Sequence, residues 1–270
     1  MSISLSQVNL SHTPKVSIII TNYKKEKYLK NAILSCLSQT YENIEILIIN
    51  DSSDIKKSFK IARKFKNKKI KYFYTTRNYG HYACCNFAMD KATGAYITFL
   101  GADDTMDNDH IENLLKVKFL NNCIMVHSLY NRYDDKGNLL AENLMCEASI
   151  LFNREQVLKD IGYFHMIRAG ADTNFSLRML AFYTREKCFT FSKVSYRAIQ
   201  DDSCLTVDDD IMDMRKQYYQ NTINFLHSTE KEDLYYDYKK SNFPFAVPDF
   251  IKVKNFDLKT FKEKKLFEKI

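Results

Sequence analysis

The first 120 residues alternate short apolar runs with amphipathic segments. The apolar runs are rich in Ile, Val and aromatic residues and show little polar alternation, which is typical of strands buried on both faces; they are residues 15–20, 44–49, 70–75 and 95–100. Each is followed by a segment with apolar residues at helical spacing: 28–39, 55–65, 82–92 and 110–120. This alternation predicts an α/β fold with a mostly parallel sheet, helices on both faces and right-handed crossovers.

The pattern changes after about residue 122. Two strands joined by a turn at "DDKG" are predicted first, and "ASILFNREQVLKDIG" then indicates a strand that runs into a helix. Further helices are predicted at 173–183 and from 211 onward, before a Lys- and Phe-rich tail. We therefore expect three parts that pack on one another: residues 14–122, 123–210 and 211–270.

Composition and charge narrow the class of protein. Forty Lys and Arg residues against 33 acids suit an anionic ligand or a membrane surface, but the excess is too diffuse to indicate nucleic-acid binding. The seven cysteines are scattered and lack C-x-x-C spacing, so neither a zinc site nor a disulfide framework is indicated. The N-terminus does not resemble a secretory signal, and no run approaches the roughly 20 apolar residues of a membrane span. A cytoplasmic protein, soluble or peripheral to a membrane, is expected.

Polar side chains follow each of the first four predicted strands. They are Thr21 and Tyr23, Asp51, Arg77 and Asn78, and the pair Asp103 and Asp104. In open α/β sheets ligands bind beyond the carboxyl ends of the strands, so these side chains mark a candidate site. Taken singly, the acids have a simpler explanation, because Asp is common at helix N-caps. Asp107 and Asp109 lie farther along and are expected to cap or decorate the next helix.

Several motifs in a fixed order resemble a known family. "PKVSIIITNYKKEKYLKNAILSCLSQTYENIEILIINDSSD", "RNYG", "NFAMDKATGAYITFLGADD" and "AGADTNFSLRM" together are similar to the inverting family 2 glycosyltransferases of the GT-A fold, which include bacterial spore-coat and polysaccharide enzymes. The resemblance covers about residues 14–206. It implies a Rossmann-like nucleotide-sugar-binding half, a smaller acceptor-side α+β part and a C-terminal helical extension. It further implies sugar transfer from a nucleotide donor, UDP-linked in the first instance, to a saccharide or other hydroxyl acceptor.

The resemblance also assigns roles on the donor side. Thr21 and Tyr23 would line the nucleotide pocket, where a tyrosine ring is a suitable stacking face for a base. Asp51 would accept a hydrogen bond from uracil, with Asn50 where relatives often carry an acid. Arg77 is a further candidate contact to the nucleotide, and so is the pair Lys24 and Lys25, although solvated surface cations are the simpler interpretation of all three.

The acid pair after the fourth strand would contact the ribose and a divalent metal. We expect Asp104 to bind Mn²⁺ or Mg²⁺ and Asp103 to contact the ribose, although the two acids could also share these roles. Gly101 stands where many relatives carry another acid.

On the acceptor side, Asp172 matches the catalytic base, with Ala171 in place of the common Glu; the alternative is an N-cap of the following helix. Candidate diphosphate contacts in the closing segment are Arg197, Gln200, Ser203 and Thr206, and the common His is missing.

Two other functions remain open at this point. The departures at Asn50, Gly101 and Ala171 are compatible with a catalytically inactive module that binds a sugar nucleotide or a glycan. A sugar-phosphate nucleotidyltransferase would share the alternating pattern, but the Gly-rich turn expected after its first strand is missing from "TNYKKEKY".

Overall fold

The computed structural model describes residues 14–201, 209–240, 243–247 and 252–266, without the side chains of 146–148 and 209. The strands of this part are β1 (Val16–Asn22), β2 (Ile44–Asp51), β3 (Ile70–Thr75), β4 (Tyr96–Gly101), β5 (Thr105–Met106), β6 (Met125–Asp134), β7 (Leu139–Asn153), β8 (Cys188–Gln200) and β9 (Phe261–Glu263). The helices are α1 (Glu26–Leu37), α2 (Ile55–Lys64), α3 (His81–Lys91), α4 (His110–Asn121), α5 (Arg154–Asp160), α6 (Ala171–Tyr183) and α7 (Asp209–Ser228).

All of these strands belong to one sheet with the order β5-β8-β6-β7-β4-β1-β2-β3-β9. The four strands β4, β1, β2 and β3 are parallel neighbours and form its centre. β9 and β7 add to the two sides of this centre in antiparallel orientation, and β8 runs parallel to β6. The apolar runs predicted as strands are all present, and the strands that the sequence pattern did not predict are β5, β8 and β9.

Helices cover both faces of the parallel centre because its strands are apolar on both faces. Ile18 and Ile20 pack in a core with residues of α1, α2 and α4, whereas Ile19 packs in a second core with residues of α3, α6 and α7. This arrangement confirms the predicted α/β class and places the carboxyl ends of β1, β2 and β4 along one edge.

A buried arginine fixes α6 to the elements around it. Arg178 is 1% exposed and donates hydrogen bonds to the side chain of Asn174 and to the backbone carbonyls of Ile161, Leu234 and Tyr163 at 2.5–3.0 Å. Because a buried guanidinium is stable only when its donors are satisfied, these bonds define the position of α6.

A buried carboxylate joins the strands at the amino ends of the parallel centre, opposite the carboxyl ends. Glu45 accepts hydrogen bonds from Ser17, Lys71 and Thr93, which join β1, β3 and the loop before β4 to β2. Burial alone would raise the pKa of Glu45, but these hydrogen bonds outweigh it and lower the pKa to about 2.

Within the described ranges, no helix combines the length and the apolar character needed to cross a membrane. The cysteines Cys36, Cys84, Cys85, Cys123 and Cys188 are free thiols, and Cys84 and Cys85 are small core residues of α3.

Candidate active site

A cleft of about 410 Å³ opens at the edge where the parallel strands end. The candidates Thr21, Tyr23, Asp51, Asp103, Asp104 and Gln200 all line it, together with Asn22, Lys25, Asn78, Gly80, His81, Gly101, Arg132, Arg168, Ala198 and Ile199. The structure thus brings together residues as far apart in the sequence as Thr21 and Gln200, as expected for a site at this edge of an open sheet.

Asp51 holds the turn that forms one wall of the cleft. Its carboxylate, in a residue only 2% exposed, accepts hydrogen bonds from the backbone N–H groups of Tyr79 and Gly80 at 2.9 and 2.7 Å and from Asn78 Nδ2 at 3.1 Å. Burial raises the pKa of Asp51, and the two backbone hydrogen bonds act against this. The helix-cap alternative for Asp51 is wrong, because Asp54 is the N-cap of α2 and accepts from Lys57 N at 2.9 Å.

Asp104 is held from the far side of the cleft by β8. Tyr196 donates its hydroxyl hydrogen to Asp104 Oδ2 at 2.7 Å, and Ile199 N donates to Oδ1 at 2.9 Å. Burial raises the pKa of Asp104 to about 7, and the negative charge of Asp103 adds to the effect. These contacts exclude a helix-cap role, since Asp109 occupies the N-cap position of α4 and pairs with Lys193 at 2.6 Å.

The two adjacent acids converge over Gly101. A Cβ added at Gly101 would lie 2.5 Å from Asp104 Oδ2 and 2.9 Å from Asp103 Oδ1, so the glycine leaves room for both carboxylates. Among the described residues no group of three or more His, Cys, Asp or Glu side chains is arranged to hold a metal ion. The pair therefore offers hard oxygen ligands of the kind that Mg²⁺ and Mn²⁺ prefer, but a ligand would have to complete the coordination.

Three cationic side chains line the cleft. One of them was expected on the surface, and the other two were not predicted from the sequence. Lys25 Nζ lies 3.0 Å from Asp103 Oδ2 and 2.6 Å from Asp201 Oδ1, and its side chain is 12% exposed. Arg168 Nη1 donates to Asn78 Oδ1 at 2.7 Å, and Arg132 is the third cation. Lys25 differs from its exposed neighbour Lys24 because it pairs with two carboxylates that are far away in the sequence. No local sequence pattern indicates a site role for Arg168 or Arg132.

Asp172 lies in the first turn of α6. Tyr82 donates its hydroxyl hydrogen to Asp172 Oδ1 at 2.8 Å and accepts from Gly170 N at 3.2 Å. The N-cap of α6 is Gly170, in the left-handed conformation with φ of 87°, so the N-cap alternative for Asp172 is wrong. Asp172 itself does not line the cleft.

His81 connects Asp172 with the cleft. Its Nδ1 lies 2.7 Å from Thr21 Oγ1, and its ring is part of the cleft wall. Burial lowers the pKa of His81, while the negative charges of Asp172 and Asp103 act in the opposite direction. Both acids are therefore close enough to act on the same imidazole.

Two of the candidates lie outside the cleft, and two others fall on residues that the structure does not describe. Arg77 and Arg197 are exposed and outside the cleft lining; Arg197 alternates along β8 with the inward Tyr196, and its guanidinium lies over the ring of Tyr133. Ser203 and Thr206 fall outside the described residues.

Two curated relatives are each similar to less than half of the chain. A Haemophilus influenzae protein described as an uncharacterized glycosyltransferase is 42% identical over 127 residues, which is 46% of this chain and 50% of that protein. Glycosyltransferase GlyA of Streptococcus pneumoniae is 34% identical over 103 residues, 38% of this chain and 15% of that protein. The chain thus matches half or less of the length of these relatives.

Solved structures share the fold at low sequence identity. S. aureus TarS 1–349 in complex with UDP-GlcNAc has a TM-score of 0.61 at 18% identity, covering 81% of this chain and 69% of that one. The mannosyltransferase PcManGT from Pyrobaculum calidifontis, in complex with GDP-Man and Mn²⁺, has a TM-score of 0.57 at 15% identity and covers 77% and 62%. The fold is therefore that of the GT-A glycosyltransferases.

The model of glycosyl transferase family 2 matches residues 17–177, a span that runs from β1 through Asp51, the acid pair and Asp172. Since this match covers more than half of the chain and includes the strand ends that form the cleft, the protein belongs to glycosyl transferase family 2.

Proposed function

We propose that the protein is a metal-dependent inverting glycosyltransferase that moves a sugar from a UDP-linked donor to the hydroxyl group of a saccharide or other acceptor. The observation that carries the proposal is the joint position of the acid pair and Asp172. Asp103 and Asp104 lie in the cleft, and Asp172 is near enough to share the electrostatic environment of His81 with Asp103. Such an arrangement supplies separate groups for leaving-group stabilisation and for deprotonation of an acceptor.

The nucleotide would bind along the ends of β1 and β2. Tyr23 is 42% exposed and faces the cleft, so its ring is available to stack on uracil. Asp51 also lines the cleft and would accept a hydrogen bond from the base while it holds the turn of Asn78 and Gly80. The UDP-GlcNAc complex of the structural neighbour TarS supports this choice of donor.

Asp103 and Asp104 would hold Mn²⁺ or Mg²⁺ together with the donor diphosphate. The bound ion would supply Lewis-acid neutralisation of the charge that develops on the leaving diphosphate. The convergence of both carboxylates over Gly101 and the Mn²⁺ complex of PcManGT support this assignment. Lys25 and Arg168 line the same cleft, add fixed positive charge to it and would contact the diphosphate oxygens directly.

Asp172 would accept the proton of the acceptor hydroxyl as that oxygen attacks the anomeric carbon. Inversion requires the attack to come from the side opposite the leaving diphosphate. Asp172 is separate from the acid pair, because it lies outside the lining of the donor cleft, and its negative charge acts on His81 in the cleft wall. Tyr82 is a positioning residue: its hydrogen bonds to Asp172 and from Gly170 fix the carboxylate on the first turn of α6.

Donor turnover tests the proposal. The purified chain is incubated with UDP-, GDP- and dTDP-sugars, with Mn²⁺ or EDTA, and nucleotide release is measured with and without a mixture of saccharide acceptors. We expect Mn²⁺-dependent release of UDP. Binding of UDP-sugars without any release would indicate an inactive binding module, and release of pyrophosphate from a sugar phosphate and UTP would indicate a nucleotidyltransferase.

A further inference from the structure

A second groove, of about 370 Å³, lies between α7 and the start of α6. Gly170 and Thr173 contribute one wall, and Arg215, Lys216 and Tyr219 contribute the other. The three α7 residues are spaced at i, i+1 and i+4 and share one stripe of the helix, beside the stripe on which Tyr218 is buried in the core. α7 therefore has a buried face and, next to it, a polar face directed at α6.

This groove adjoins the proposed base. Gly170 and Thr173 flank Asp172 in the sequence, and the site at which a Cβ of Gly170 would lie is 3.2 Å from Arg215 Cγ. Burial raises the pKa of Tyr82, Asp172 raises it further, and the positive charge of Arg215 opposes both. Tyr82 is thus within electrostatic reach of Arg215, and its hydrogen bond to Asp172 Oδ1 links the groove to the proposed base.

The charges of the groove favour an anion. Within the described part of the chain, no carboxylate lies within 4 Å of the Arg215 guanidinium, whereas Lys216 pairs with Asp213 at 2.8 Å on the open surface, where such pairs are weak. A guanidinium presents a planar fork of N–H donors that matches phosphate or carboxylate oxygens. Tyr219 is 47% exposed and offers a flat ring for the apolar face of a sugar.

We propose that this groove is the acceptor subsite, and that the acceptor is a saccharide bearing an anionic group, a phosphate or a carboxylate, which Arg215 binds while a hydroxyl group of the same molecule is directed at Asp172. The inference rests on the proposed function, because only a base at Asp172 makes the neighbouring groove the place for an acceptor. It adds the chemical class of that acceptor and a specificity residue for it.

Binding of three matched sugars tests the inference. With the donor cleft saturated by UDP and Mn²⁺, the affinities of glucose 6-phosphate, glucuronate and glucose are measured by calorimetry. We expect at least one of the two anions to bind 10-fold or more tightly than glucose, and the stronger of them identifies phosphate or carboxylate as the group bound. Equal affinities for all three sugars, or no binding of any of them, would overturn the inference.

The variant Arg215→Gln should lose most of this preference, a decrease of about 10-fold or more in anion affinity, with UDP affinity and melting temperature unchanged. Arg185→Gln is the matched control, because Arg185 is exposed on the 3₁₀ turn before β8 and lies outside the groove. An equal loss in both variants would mean that only overall charge matters, and would refute the subsite. Failure of the wild-type protein to bind UDP would instead count against the proposed function, whatever the result at the groove.

Discussion

Replacing Asp51 by alanine removes the acceptor of three hydrogen bonds at once. The backbone N–H groups of Tyr79 and Gly80 would lose their partner, and so would the amide of Asn78. Each buried donor left unsatisfied costs about 1–3 kcal/mol. Part of this cost is offset, because burial of the Asp51 carboxylate is itself unfavourable, as its raised pKa indicates. We expect a net loss of about 3 kcal/mol in the free energy of unfolding, which corresponds to a decrease of about 6–12 °C in melting temperature for a chain of this size.

The matched control is Asp54→Ala, the same chemical change three residues away. Asp54 caps α2 at an exposed position, and loss of an N-cap costs about 1 kcal/mol, or about 2–4 °C. Thermal melts by circular dichroism compare the two variants. Calorimetric titration with UDP should show weaker binding by Asp51→Ala alone, because Asn78 and Gly80 line the cleft. If Asp51→Ala melts no lower than Asp54→Ala, the three hydrogen bonds do not hold the turn and the reasoning fails.

Three further predictions address chemistry and pH. Asp172→Asn should lower kcat by about 10²–10⁴-fold, with the donor Kd and the melting temperature nearly unchanged because Gly170 is the helix cap; a wild-type kcat in steady-state transfer assays would remove Asp172 from the mechanism. Asp104→Ala should abolish both transfer and the Mn²⁺-dependent gain in UDP affinity measured by calorimetry, and wild-type activity undiminished by EDTA would contradict the metal role. The folded protein lowers the pKa of Glu45 to about 2 from 4.5, so the stabilisation from this carboxylate is present above pH 4.5 and is lost as the pH falls to 2. The free energy of unfolding of the wild-type protein should therefore fall by about 3 kcal/mol more than that of Glu45→Gln between pH 5 and pH 2. Melting temperatures that fall equally in the two proteins over this range would contradict the prediction.

The parallel centre of the sheet could be predicted because its strands are buried on both faces and read as continuous apolar runs. β8 could not, since its sequence "CFTFSKVSYRAIQ" mixes exposed polar residues with buried ones and its pairing with β6 contains register shifts. Its partners lie about 60 residues earlier in the chain, and hydrophobic periodicity carries no information about such pairing.

Local sequence also left the roles of individual acids and cations undecided. Asp51 and Asp54 both precede α2, and only the tertiary position of Tyr79 and Gly80 shows which one caps the helix. Lys24 and Lys25 are chemically identical neighbours, and Lys25 is drawn into the cleft by Asp201, 176 positions away. Residues at the ends of the parallel strands could be found from sequence, and the family resemblance indicated Gln200 of β8. Ile199 of β8 and Arg168 before α6 required the fold.

The dependence of Asp104 on β8 has a consequence for the order of events during synthesis. Ribosomes synthesise the chain from its N-terminus, so β1 to β4 and the acid pair leave the ribosome before Tyr196 and Ile199 have been translated. The nascent protein therefore carries an incomplete cleft until about 95 further residues have been added beyond Asp104. We expect nucleotide to bind only after release of β8, so that ligand cannot act as an early template for folding and the cleft is among the last features of the molecule to become competent.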